Sequence, residues 1–345
     1  MAHMLIDLFS DTTTRPTPAM RQAMMEAAVG DEQRGEDPTV LELEARVAAL
    51  LGKEKALFLP STTMANQIAI KLHTQPGDEV ILEADSHPVH FEAGGPGLIS
   101  GVHLRTIPGR RGLFTAEQVK EAVRPDLSIH SRSALLWVEN THNMGGGTVW
   151  PLDQLLSVCE AGRSLGLKLH LDGARLLNAS IASGHPPHVL AEPFDTVSFC
   201  LTKGLGAPVG GLLAGSAEAI ARARRYKQAL GGAMRQAGII AAAGLYALDH
   251  HVDRLAEDHR RARRLADALA KIDGIEIDPS HVETNMVFFR VKHPRFTPET
   301  FLEALKQRGV ILSQGRGGSL RAVTHLDVDD AAIDRAVAII AGLLA

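Results

Sequence analysis

The chain has 345 residues, 45% of them hydrophobic, enough to bury a large core and to build one large domain with a smaller companion. Lys and Arg number 36 against 40 Asp and Glu, and a net charge of -4 gives no basis for binding a nucleic-acid backbone or an anionic membrane. Two cysteines, Cys159 and Cys200, support neither a disulfide framework nor a cysteine-based metal site, no metal ligand set is expected, and the apolar runs are too short to span a bilayer, so a cytoplasmic location is expected.

Met1 to Met4 reads as an expression remnant, because Met4 would serve equally well as a start. Beyond it, short apolar runs alternate with amphipathic segments. Ala56 to Leu59, Glu79 to Leu82, Val102 to Ile107, Ala134 to Val138, Leu167 to Leu171, Thr196 to Cys200 and Gly210 to Ala214 predict buried strands. Val40 to Leu51, Thr63 to His73, Ala116 to Val123 and Leu152 to Leu165 have the three- and four-residue apolar spacing of helices. This alternation implies an α/β fold, a largely parallel sheet with helices on both faces, which binds ligands beyond the carboxyl ends of its strands. One long helical stretch, Gln236 to Lys271, then leads to strands at Ile275 to Ile277, Asn285 to Val291 and Val310 to Leu312, with helices at Pro298 to Gln307 and Asp329 to Leu344. The expected division is 1–245, an N-terminal segment and a large domain, and 246–345, a small α+β domain.

Two segments carry recognisable chemistry. Ser198 to Gly211 sets Lys203 at a strand end among glycines, where a cofactor aldehyde can reach its amine; a lysine in a surface loop is the plainer alternative. His170 to Arg175 ends another strand in Asp172 and Gly173. A carboxylate there can keep a pyridine nitrogen protonated, so that the ring accepts electrons from a breaking bond, although Asp after a strand is also a common helix cap.

Together these segments resemble the cofactor motifs of fold-type I pyridoxal-phosphate enzymes, specifically the low-specificity L-threonine aldolase family. The resemblance extends through Ser10 to Pro16, Gly30 to Thr39, Phe91 to Gly95, Glu139 to Asn143, Gly231 to Gln236 and Arg321 to Leu326. It implies a seven-stranded sheet and pyridoxal 5'-phosphate, with Lys203 as the Schiff-base lysine and Asp172 at the ring nitrogen. His87 is implied to stack on the ring and His142 to lie near the substrate's β-hydroxyl, while His90 and His170 are taken as structural. Which histidine is the base, or whether both hold a water that acts as one, stays open. Arg175 and Arg321, with Ser10, are implied to hold the substrate α-carboxylate, for which guanidinium forks are suited. The phosphate is expected at Ser61, Thr62 and Thr63, where a strand gives way to a helix N-terminus, with Arg235 supplied across a subunit interface.

The implied reaction is cleavage of L-threonine, L-allo-threonine and related β-hydroxy-α-amino acids to glycine and an aldehyde by a homotetramer with active sites at subunit interfaces. The alternative is another enzyme of the same fold, an aminotransferase or β-lyase. Three departures from the family pattern stand out: Thr62 in place of glycine, Gln228 in place of lysine and Arg34 in place of an aromatic residue. They put cofactor affinity and substrate preference in doubt.

Overall fold

The computed structural model describes residues 5–345, so Met1 to Met4, expected to be an expression remnant, lie outside the described residues. The chain opens with β1 (Ile6–Asp7), α1 (Pro18–Met25) and α2 (Pro38–Leu50). Both helices start on a capping side chain, Thr17 and Asp37, with proline in the first turn. Strands and helices then alternate: β2 (Lys55–Leu59), α3 (Thr62–His73), β3 (Glu79–Glu83), α4 (His87–His90), β4 (His103–Ile107), α5 (Ala116–Ala122), β5 (Ser133–Glu139) and α6 (Leu152–Ser164). They continue as β6 (Lys168–Gly173), α7 (Leu176–Ser183), α8 (Pro187–Ala191), β7 (Thr196–Cys200), β8 (Gly211–Gly215) and α9 (Ala217–Ala229).

The seven strands from β2 to β8 form one sheet in the order β2-β8-β7-β6-β5-β3-β4. β3, β4, β5, β6 and β7 run parallel, and β8 lies antiparallel to both β7 and β2. Every residue of β3, β7 and β8 is buried, as expected of strands covered on both faces. Because the strands are parallel, Glu83, Glu139 and Asp172 all emerge at one edge of the sheet, and β7 delivers Lys203 to that edge.

The continuous helix expected from Gln236 to Lys271 is broken. α10 (Gly238–His250) ends at a turn in which His251 Nδ1 pairs with the Leu205 carbonyl at 2.7 Å, and α11 (Leu255–Leu269) starts afterwards. The two halves are used differently: α10 packs on α1 and α2, while α11 packs on α7 and on the elements that follow. These are β9 (Ile275–Glu276), β10 (Met286–Val291), α12 (Pro298–Gln307), β11 (Val310–Ile311), β12 (Ser313–Gln314), β13 (Leu320–Val323) and α13 (Asp330–Leu344). The sheet β12-β13-β10-β9 is antiparallel, and Arg321 lies on β13 opposite Phe288 and Ser313. β1 pairs with β11 in parallel, which carries Ile6 and Leu8 into this second core. Residues 245 and 246 fall inside α10.

Candidate active site

The turn between β7 and β8 is tied to the N-terminal loop, because the Lys203 carbonyl accepts from Thr14 Oγ1 at 3.0 Å. In the same loop, buried Asp11 receives a bidentate pair from Arg175, Nε at 2.7 Å and Nη2 at 2.6 Å, and a third bond from Asn285 at 3.2 Å. Burial alone would raise the Asp11 pKa, but Arg175, Lys203 and Arg321 outweigh it and hold the carboxyl well below the usual range. Ser10 is buried too, its Oγ accepting from Thr12 N at 3.2 Å. Arg321 differs from Arg175. Its guanidinium has no acidic partner among the described residues, and its buried Nε has no acceptor. Burial, reinforced by the like charge of Arg175, lowers its pKa to about 10. A desolvated cation without an acceptor is costly unless an anion arrives to pair with it.

A second cluster lies around Asp172. Its Oδ1 accepts from Ala174 N at 3.1 Å and its Oδ2 from Asn66 Nδ2 at 2.9 Å. Asn66 Nδ2 also donates to Glu92 Oε1 at 2.8 Å, and that oxygen lies 2.8 Å from His87 Nδ1. Gln67 Nε2 completes the set at 2.5 Å from Glu92 Oε2. Burial opposes protonation of His87, but the bond to Glu92 and the charges of Asp172 and Glu139 outweigh it, and the imidazole pKa stands above its ordinary value. One ligand atom each from His87, Glu92 and Asp172 lie within 4.8 Å of one another, the one metal-capable group among the described residues. The amides of Asn66 and Gln67 already occupy its carboxylates, which is the pattern of a hydrogen-bond network.

Glu139 joins the two histidine loops, accepting from His87 N and Asn143 N, both at 2.8 Å. His142 itself is sealed. Its Nδ1 accepts from Gly145 N at 3.0 Å, and its Nε2 lies 3.1 Å from Glu83 Oε2, off the line of a straight hydrogen bond. Gly112, at φ 83°, presses on the ring so closely that a Cβ there would fall 2.1 Å from it. Of the histidines taken as structural, His170 is buried against Thr196 Oγ1 at 2.8 Å, while His90 bonds the Ala84 carbonyl at 2.9 Å near the surface.

At the start of α3, Ser61 caps the helix by accepting from Met64 N at 3.2 Å, and Ser61 and Thr63 are exposed. Thr62 Oγ1 is buried without a partner, and only glycine fits at 211, where a Cβ would lie 2.6 Å from that oxygen. The structure does not bring Arg235 to this cluster as a partner: its side chain is 63% exposed and pairs with Asp31 at 3.0 Å. Gln228 is exposed, and Arg34, exposed as well, pairs with Glu36 at 3.0 Å. Sequence reasoning gave no role to Asp11, Asn66, Gln67, Glu83, Glu92 or Glu139. Asp11, Glu92 and Glu139 sit inside the quoted motifs, next to residues that did receive roles; for Asn66 and Gln67 the one available signal was two amides a turn into a helix expected to be buried.

Comparisons with known proteins bear on the family and the fold. The β-eliminating lyase family model matches residues 7–292. Low-specificity L-threonine aldolase 1 of Arabidopsis thaliana is 42% identical over 93% of this chain and 91% of its own length. The low specificity L-threonine aldolase of Escherichia coli (strain K12) is 42% identical over 94% of this chain and 95% of its own. In fold, the threonine aldolase of Leishmania major superposes with a TM-score of 0.83 over 98% of this chain and 99% of that chain, at 21% identity. The chain belongs to the β-eliminating lyase family and, within it, to the low-specificity L-threonine aldolases.

Proposed function

We propose that the protein cleaves the Cα–Cβ bond of β-hydroxy-α-amino acids, L-threonine and L-allo-threonine among them, to glycine and an aldehyde, with pyridoxal 5'-phosphate as cofactor. When bound, the cofactor supplies an electron sink for the pair released from the breaking bond. The residues present fit it. Thr62 Oγ1, buried without a partner beside a helix start, and the side-chain-free surface of Gly211 leave a polar cradle for a phosphate. Ser61, Thr62 and Thr63 would hold that group, Asp172 the ring nitrogen and Lys203 the aldehyde carbon, with His87 against the ring.

The observation that carries the substrate reading is Arg321, a half-buried guanidinium whose buried Nε lacks an acceptor, in the same field as Arg175 and Lys203. It calls for a carboxylate. Arg175 gives Nε and Nη2 to Asp11, which leaves Nη1 to meet the substrate, and Ser10 lies beside it. Holding the α-carboxylate at this end orients the Cα–Cβ bond for cleavage and turns the β-hydroxyl toward the histidine loops, where His87 or His142 accepts its proton directly or through water.

The proposal extends to assembly and location. Arg235, exposed in its own subunit, is the residue offered to a second copy's phosphate site, so the protein works as at least a dimer and as a homotetramer in full form. A cytoplasmic setting is supported by two free buried cysteines. No described helix is long and apolar enough to cross a membrane. The division into a large and a small unit is kept, with the boundary moved from 245/246 to the turn after α10 and the N-terminal strand lent to the smaller unit. Product analysis tests the reaction: aldehyde and glycine from L-threonine are expected, whereas a keto acid would establish transamination instead.

A further inference from the structure

We propose that Glu92 is a positioning residue that makes His87, and not His142, the base for the β-hydroxyl proton. The inference rests on the aldolase reading but draws on hydrogen bonds that the reading does not use. Glu92 is buried, and its neighbours at bonding distance are Asn66 Nδ2, Gln67 Nε2 and His87 Nδ1. The Asn66 amide cannot be turned over, because its nitrogen donates to Glu92 and Asp172 together and the reverse would set its oxygen against two carboxylates. A carboxylate accepts, so His87 Nδ1 must carry a proton. In neutral His87 the lone pair therefore sits on Nε2, which has no protein partner among the described residues, on a side chain that is 28% exposed.

His142 has the opposite arrangement. Its Nδ1 accepts the Gly145 N–H, so its proton is on Nε2 facing Glu83, and its side chain is 1% exposed beneath Gly112. Neutral His142 has neither a free lone pair nor an open face. In the cleavage step, the O–H bond breaks and its proton passes to His87 Nε2. The C=O bond of the aldehyde forms as the Cα–Cβ bond breaks; the pair left on Cα would be delocalised into the bound cofactor, and a proton from solvent then bonds Cα to give glycine. The imidazolium formed meanwhile is faced by Glu92, Asp172 and Glu139, all acidic, which favours its charge. Glu92 touches no reacting atom and acts through the ring it holds.

The test uses the holoenzyme and two readouts. Nitrogen-15 NMR of the imidazoles, with His87 assigned by loss of its signals in His87→Asn, should show a protonated Nδ1 and a bare Nε2; the opposite tautomer would overturn the proposal. Glu92→Gln should be tolerated, because Gln67 Oε1 is buried without a donor and its amide can turn over to accept from the new one. In that variant the acid limb of kcat/KM should move down by about one to two pH units as His87 loses its carboxylate. Its kcat should fall roughly 10- to 100-fold, with KM within about threefold. An unmoved acid limb in Glu92→Gln, or one that moves in His142→Asn instead, would refute it. If Glu92→Gln fails to fold, the wild-type tautomer decides alone. If the wild type releases no aldehyde, it is the aldolase reading that fails, and the tautomer still reports on Glu92.

Discussion

Arg175 and Arg321 share a charge and a neighbourhood, but one is balanced within the protein and the other is not. Arg175 is locked to Asp11 by two hydrogen bonds, so Arg175→Met leaves a buried carboxylate unpaired and should destabilise the fold by roughly 3–5 kcal/mol in urea unfolding at neutral pH. The sign with pH follows from the depressed Asp11 pKa: its contribution is present above the unfolded value and lost as pH falls through the folded one. The stability gap between wild type and Arg175→Met should therefore narrow below about pH 4. Arg321→Met should behave differently, because it removes a half-buried cation that has no acidic partner among the described residues. Stability should stay within about 1 kcal/mol of the parent or rise, while kcat/KM for an L-amino acid falls by about 1.5–3 kcal/mol, the range for a hydrogen bond to a charged group. Equal stability losses in the two variants would remove the distinction. Lys203→Ala should abolish cleavage while leaving the fold intact, as read by circular dichroism and aldehyde release together.

Among the elements, α3 has the most to do at the site. Its first turn presents Ser61, Thr62 and Thr63, and its second presents Asn66 and Gln67 to Asp172 and Glu92. Thr62→Val keeps the shape and removes the unpartnered hydroxyl. Apoprotein titrated with pyridoxal phosphate should then bind about 10- to 100-fold more weakly, since hydrogen bonds to charged groups contribute about 1.5–3 kcal/mol; unchanged affinity would mean that Thr62 merely fills the place of the family glycine. The strands were legible in the sequence because burial on both faces writes them as apolar runs, and β2 and β3 lie within a residue of expectation. The turn at His251 was not legible, because the helical spacing continues across it and the bond that ends α10 comes from Leu205, far away in the chain. β12 was missed as a two-residue strand with no apolar run of its own, and β13 as a four-residue strand interrupted by Arg321. Candidate residues that stand at strand ends could be placed there from sequence. Their orientation could not, because Asp11 on Arg175 and Gly112 on His142 are contacts between distant segments.

At the scale of the whole molecule, the N-terminal loop lies between the two cores. β1 pairs with β11 in the smaller core, and a few residues later Asp11 and Thr14 bind Arg175 and Lys203 in the larger one, so anything that shifts one unit is felt at the lysine. In the proposed assembly Arg235, whose side chain pairs with Asp31 and is mostly exposed, would serve a second subunit. Sedimentation should show at least a dimer, and Arg235→Ala should weaken cofactor binding without dissociating the assembly, whereas an active monomer would overturn the shared site. The proposed carboxylate clamp on Arg321 and a single free imidazole nitrogen would also set the stereochemical behaviour of the complete enzyme. The clamp fixes the configuration at Cα; at Cβ, a water between the hydroxyl and His87 can serve either isomer at small cost. The decisive measurement is kcat/KM for L-threonine, L-allo-threonine and their two D-isomers under one set of conditions. Both L-isomers should be cleaved, with a ratio of about 10- to 200-fold at most, and neither D-isomer should be. A ratio above about ten-thousandfold, or cleavage of D-threonine at a comparable rate, would contradict the site described.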